Sequence, residues 1–410
     1  MIDEVEYQGK WRLPESDIWY DGVVRFTLEE GIILELYGTF NSMIDHSSHD
    51  IILGKTTERE ITLVNNHYRS TKNFYDNNIV LGFYSPTFII IGKHFNTIED
   101  IQFRQVSFSL FNLFHWTGIT GLKFDDTNVR KEYSINYHKP DDIKFQYHSD
   151  CEGNMTFISP IHCEDKNNKI ELKEECVTSF NYQKKVPFKD LLMEMTIFQG
   201  FLTLMTFEQS YPVSVSFRDD DFIDVKRGNE KLVIRCIYKN TFYNSRYKIC
   251  RSPLIRFNDI KEVFPQLIQN WYVKYQQIEP TMILLLNYFL DKYNFSNKDF
   301  VDIIKGLESF HRLTINTNIK LSERLKDLIR KYSNQYITSQ IIDIDTFCDE
   351  VVDNRNYHTH YIQDLKSKSL SGEMLFNLHI KQTGLLISCV LSYVGFDNEF
   401  FEENLSSKLY

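Results

Sequence analysis

The stretch DGVVRFTLEEGIILELYGTF, residues 21–40, decides how the front of the chain folds. Short runs rich in β-branched and aromatic residues stand on either side of turn residues, the pattern of strands. The pattern recurs in HDIILGKT, REITLV, NIVLGFY, TFIIIGKHF, IQFRQVSFSLFNL and KLVIRCIYK. Eight or more such segments in about 240 residues predict a β sandwich or barrel-like domain. FKDLLMEMTIFQGFLTLMTF departs from it: apolar positions from Leu191 to Leu202 recur at helical spacing, and Gly200 is expected to weaken the end of that helix.

Further along, the period changes. No proline occurs from Thr281 to Tyr410, so long uninterrupted helices are allowed there. Asp259 precedes IKEVFPQLIQNWYVKY, and Pro280 suits a first helical position before TMILLLNYFLDKY. Ser296 and Asp299 resemble a capping box opening NKDFVDIIKGLESFHRL. SERLKDLIRKY follows, then TFCDEVVDNRNYHTHYI after Asp345, then a helix from about Gly372 to Val394 stopped by Gly395. The expectation is an α+β chain of two domains, a β-rich unit over residues 1–250 and an all-α bundle over 251–410.

The chain has 410 residues, 42% hydrophobic and 25% charged, which excludes disordered, fibrous and low-complexity classes. Its longest apolar runs, such as Met282 to Leu286 and Leu385 to Val390, are too short to span a bilayer. With acidic residues in the opening MIDEVEYQGKW, the reading is a soluble cytoplasmic protein without a membrane partner. Seven scattered cysteines form no CxxC pair, so reduced thiols are the default. From Arg251 onward there are 18 Lys plus Arg against 20 Asp plus Glu, and before it 28 against 36. A broad basic surface for nucleic acid is therefore absent, and binding would rest on a local cluster. The best one is Lys320, Arg324, Lys326, Arg330 and Lys331, whose plainer reading is a solvated helix face.

The sharpest chemistry lies in RNYHTH, Arg355 to His360. A permanent cation and an imidazole can cut RNA without metal: arginine holds the scissile phosphate, and histidine takes the 2′-OH proton or supplies one to the leaving oxygen. On an ideal helix the two side chains stand about 140° apart, so they converge only through the length of Arg, a distorted helix end or pairing across a dimer. With 16 Arg and 12 His in the chain, this spacing alone is expected roughly 0.5 times by chance, so context must carry it. Glu308 and His311 lie three apart in LESFHRL and offer a supporting pair or a structural contact. Two loose metal-capable groups, His148, Cys151, His162, Cys163 and Cys176, and His46, His49 and Asp50, match no compact site. Trp11, Trp19, Phe114 and Trp116 form either a ligand face or core.

From about Phe257 the ordered motifs FNDIKEVFPQLIQNWY, GLESFHRL and VVDNRNYHTHY resemble the Apea-like HEPN domain. In the front half, GKWRLPES, DGVVRFTLEEGIILELYGTF and IIIGKHFNTIEDIQFRQVSFSLFNLFHWTG are similar to the N-terminal domain of ApeA-type bacterial defence proteins. The resemblance implies an endoribonuclease of abortive phage defence whose RNxxxH motif cleaves RNA. Carried over, that means Arg355 and His360, with Asn356 as polar companion; His358 receives no role.

The resulting expectation is a ribonuclease that dimerises through the helical domain and needs neither cofactor nor metal, with a sensing domain in front that answers a phage-derived trigger. The alternative is a catalytically silent HEPN module that recognises RNA or a protein partner. A third reading places the main activity in a carbohydrate- or peptide-binding front half.

Overall fold

The structure is a computed structural model and describes residues 4–41, 46–74, 79–125, 134–159, 161–164, 169–224, 228, 230–239, 249–290, 295–315 and 318–404. Its strands are β1 (Val5–Arg12), β2 (Tyr20–Thr27), β3 (Gly31–Tyr37), β4 (His49–Thr56), β5 (Glu60–Phe74), β6 (Ile79–Ile91), β7 (Gln102–Leu110), β8 (Leu122–Asp125), β9 (Ser134–Tyr137), β10 (Ile143–His148), β11 (Cys151–Ile158), β12 (Ile161–Glu164), β13 (Lys169–Leu172), β14 (Glu175–Pro187), β15 (Pro212–Arg218), β16 (Ile223–Asp224), β17 (Glu230–Lys231) and β18 (Ile234–Tyr238). Its helices are α1 (Leu113–Thr117), α2 (Phe188–Thr206), α3 (Phe257–Ile260), α4 (Phe264–Tyr275), α5 (Glu279–Leu290), α6 (Asn297–Thr314), α7 (Leu321–Lys331), α8 (Gln335–Gln340), α9 (Ile344–His360), α10 (Gly372–Val394) and α11 (Asn398–Asn404). The chain is α+β in a two-domain layout, an antiparallel sheet region followed by helices.

β1 to β6 pair in the order β6-β3-β2-β1-β4-β5, and β5 pairs back onto β6, so this part closes into a barrel. Trp11, Phe26, Leu34, Ile52, Leu63 and Tyr84 fill it. The two runs expected as separate strands, NIVLGFY and TFIIIGKHF, are one continuous β6 despite Pro86. β6 exchanges neighbours at that point: Tyr84 pairs with Leu34 of β3, and Phe88 with Tyr238 of β18. A residue without an N–H is tolerated where one side of the ladder has no partner. Beyond β18 the sheet continues through β15, β7, β14 and β11 to β10.

α2 lies against this extension, with Phe198, Phe201 and Leu202 fully buried. It runs through Gly200 to Thr206 instead of fading there. A Cβ at Gly200 would stand 3.2 Å from Leu286 and 3.5 Å from Trp271, so the missing side chain lets α5 and α4 approach α2. The indole N–H of Trp271 donates to Ile197 O at 2.9 Å, and the Tyr272 hydroxyl donates to Glu194 O at 2.9 Å. One apolar core therefore continues from the sheet into the helices.

The helix ends follow local chemistry closely. Ser296 and Asp299 form the reciprocal capping box of α6, and Gly395 stops α10 at φ 128°. The helix expected after Asp259 is divided into α3 and α4, because Pro265 sits in the first turn of α4, where its missing N–H costs nothing. α9 is capped by Asp343, which accepts from Thr346 N at 3.1 Å, and Asp345 is free to pair with Lys326 at 2.7 Å. Among the described residues, only α10 is long and apolar enough to cross a membrane; 72% of its most apolar window is buried inside the protein.

Candidate active site

α9 presents two unlike faces. Phe347, Cys348, Val351 and Asn354 are buried, and this stripe continues at the next helical step to His358. Asn354 is fully buried and bonded in three directions: it donates to Glu350 O at 2.8 Å and accepts from Leu370 N at 2.7 Å and Ser369 Oγ at 3.2 Å. It thereby ties the end of α9 to the segment that leads into α10. The missed signal was an Asn at an apolar position of the 347/351/354 stripe. The helix stays regular through His360 and ends at Tyr361, which is left-handed at φ 50° and donates its N–H to Tyr357 O at 2.7 Å.

A distorted helix end therefore does not bring Arg355 and His360 together. The half-buried Arg355 instead reaches round the helix, and its Nη1 donates to Asn356 Oδ1 at 3.0 Å. Asn356 lies about 100° from Arg355 and about 40° from His360, so its amide draws the guanidinium towards the face of the exposed His360. Among the described residues, Arg355 forms no ion pair with a carboxylate. The two imidazoles of the motif diverge. His360 faces solvent, whereas the Nε2 of His358 is buried without a hydrogen-bond partner among the described residues, and burial lowers the His358 pKa from its ordinary value.

Glu308 and His311 do not bond each other. Glu308 accepts from Arg312 at 2.7 Å, and the fully buried His311 places Nε2 3.2 Å from Asp327 Oδ2, joining α6 to α7. Neither touches Arg355, Asn356 or His360 through a hydrogen bond or ion pair. The partner Asp327 was not legible, because nothing in the sequence sets the rotation of α7 against α6.

The basic run on α7 is divided by the fold. Arg324 is only 3% exposed and donates to Ile319 O at 2.9 Å. Lys326 is held by Asp345 and Glu323, and Lys331 lies over the Tyr332 ring at 5.3 Å. Lys320 and Arg330 face solvent.

Elsewhere, Trp11 and Trp116 are core, and the Trp116 indole donates to Ile255 O at 2.8 Å. Trp19 is partly exposed under the Arg12 guanidinium at 5.2 Å. His49 bonds Asn41 at 3.0 Å, and His46 stacks on Tyr68 at 5.0 Å. Cys151 and Cys176 are buried thiols whose pKa values burial pushes up. The side chains of His162 and Cys163 lie outside the described residues. Among the described residues no group of three or more His, Cys, Asp or Glu is arranged to hold a metal.

A barrel and sheet followed by helices, with an Arg-Asn-His face at the end of α9, define an α+β protein with a HEPN-type helical domain. The family model ApeA N-terminal domain 1 matches residues 6–271, and Apea-like HEPN matches residues 287–400. The chain belongs to the ApeA family, with the N-terminal domain and the HEPN domain in that order. No curated protein and no solved structure matches it. The HEPN match points to a nuclease-like or defence role.

Proposed function

We propose that the chain is a metal-independent endoribonuclease of anti-phage defence, acting by abortive infection. The observation that carries this reading is Arg355, a half-buried cation without a carboxylate partner among the described residues, held by Asn356 on the side of an exposed imidazole. In it, Arg355 grips the scissile phosphate and His360 removes the 2′-OH proton. The freed oxygen attacks phosphorus, the P–O5′ bond breaks, and the leaving oxygen takes a proton from a second imidazole. The products are a 2′,3′-cyclic phosphate and a 5′-hydroxyl.

The second imidazole is His360 of another copy, because His358 points inward. Tyr361, 69% exposed, and the exposed Ile362 directly beyond His360 supply apolar surface for that pairing. His311 supports the site only by holding α6 in place against α7, and Glu308 only by pairing with Arg312 on the same helix. Lys320 and Arg330 are the members of the basic run left to meet RNA. The barrel region is the sensor of a phage-derived trigger.

The test is incubation of purified protein with total RNA in EDTA, in the cytoplasm-like buffer where the protein is expected to work. New ends carrying 2′,3′-cyclic phosphate are expected, and their loss in both His360→Ala and Arg355→Ala. The second reading, a helical module that binds RNA or a protein without cutting, is favoured by the divided basic run. Binding without new RNA ends would establish it.

A further inference from the structure

A cleft of about 510 Å³ opens beside the inward face of α9, between the starts of α6 and α10. Its apolar walls come from Phe295, Leu375 and Phe376, and its polar side chains are Asn297, His358, Ser371 and Glu373. The Phe295 and Phe376 rings meet nearly edge to face, centroids 5.5 Å apart, and Phe376 remains 40% exposed. His358 lines the cleft, and its buried Nε2 has no hydrogen-bond partner among the described residues, which is rare. Burial favours the neutral imidazole, in which one nitrogen donates and the other accepts.

No basic side chain in the lining favours a phosphate. No Lys or Arg stands among its described residues, and Glu373 contributes a carboxylate. Aromatic walls with one carboxylate, one amide and one neutral imidazole suit a flat heterocycle that carries N–H donors. Position along α9 supplies the rest. His358 is three residues from Arg355, one turn away, where side chains stand roughly 5–6 Å apart at Cβ. The guanidinium itself is drawn towards Asn356, on the far side of Arg355 from His358, so a strand whose phosphate lies on it passes back across the helix end to bring a base into the cleft.

We propose that this cleft is a nucleobase subsite, in which one base of single-stranded RNA packs on Phe376 and is read by Glu373, Asn297 and His358. The proposal deepens the ribonuclease reading and rests on it for the position of the phosphate. Glu373 favours guanine, whose N1–H and 2-amino group present two adjacent donors to one carboxylate.

The experiment uses the full chain and fluorescein-labelled 2′-O-methyl octamers, which lack the 2′-OH and cannot be cut. One is uridine with a single central guanosine; the other has an abasic residue at that place. The guanosine octamer is expected to bind about tenfold tighter, from stacking and edge contacts. Phe376→Ala and Glu373→Gln, both at exposed positions, should bring that ratio towards one and leave the abasic octamer's affinity unchanged. Equal binding of the two octamers, no binding of either, or a ratio that survives both substitutions overturns the subsite. So does a fall in oligomer mass in Phe376→Ala with the ratio intact, which would make the cleft an interface between copies. Cleavage of natural RNA is read separately: cutting with a ratio of one removes only the subsite, and a tenfold ratio without cutting removes only the ribonuclease reading.

Discussion

The two faces of α9 obey different rules. Phe347, Val351, Asn354 and His358 turn inward, where each polar atom is either bonded or conspicuously unpaired. Arg355, Asn356 and His360 turn outward or lie half-buried, and apart from the bond from Arg355 to Asn356 their side chains are uncommitted among the described residues. A buried polar group must be satisfied within the fold, because no water repays its lost hydration. An exposed one can stay free for a ligand. The contrast separates residues that hold the helix end from residues that can work there, although all lie within four turns.

The strongest way to break the contrast is to remove the outward imidazole. His360→Ala should lower RNA cleavage by about 10²- to 10⁴-fold, the usual worth of a general acid or base, with an unchanged unfolding midpoint. A lowered midpoint of several degrees would move His360 to the structural side. Asn356→Ala should cost less, because Arg355 keeps its charge and loses only its tether.

Next in size is the response of the buried imidazoles to acid. His379 of α10 packs against Phe295 at 4.8 Å, and burial brings its pKa down to about 4. Its folded pKa lies below the unfolded value of about 6.5, so the unfolded chain takes up a proton first as pH falls. Stability should therefore drop by roughly 3 kcal/mol between about pH 6.5 and 4, and level off below that. His358 adds to this loss in the same direction. Urea unfolding at a series of pH values would measure it, and His379→Leu should flatten the profile. A profile equally steep in that variant would mean that other groups carry the acid sensitivity.

A somewhat smaller effect is expected at Asn354. Asn354→Ala leaves the Leu370 N–H without its acceptor, and should cost about 2–3 kcal/mol in urea unfolding. A neutral result would show that the segment before α10 does not depend on α9. The smallest change sharpens the boundary between the faces. Tyr361→Gly relieves a left-handed tyrosine and should raise stability by at most about 1 kcal/mol. A clear loss would show Tyr361 to be an anchor.

Much of this was legible before any coordinates. The Ser296 capping box, the Gly395 stop, Pro280 in the first turn of α5 and the strand runs of the barrel all depend on neighbours within a few residues. The division between NIVLGFY and TFIIIGKHF misled for the same reason: Pro86 lies between them, and only the exchange of β3 for β18 beside β6 makes it harmless. The RNYHTH motif was visible too, and its spacing favoured His360, but nothing assigned His358. The stripe 347/351/354/358 would have separated them, had the helical period been carried to its end.

The sequence alone settled the order of sheet and helices, most helix ends and the residue types of the motif, because these follow from backbone preferences and short-range hydrogen bonds. Only the tertiary structure decided that β5 returns to β6, that His311 meets Asp327 rather than Glu308, that Arg324 turns inward and that His358 lies in a cleft while His360 does not. Each of these depends on how one element is rotated against another far away in the chain. That rotation is set by the summed packing of many apolar side chains, which no local stretch encodes.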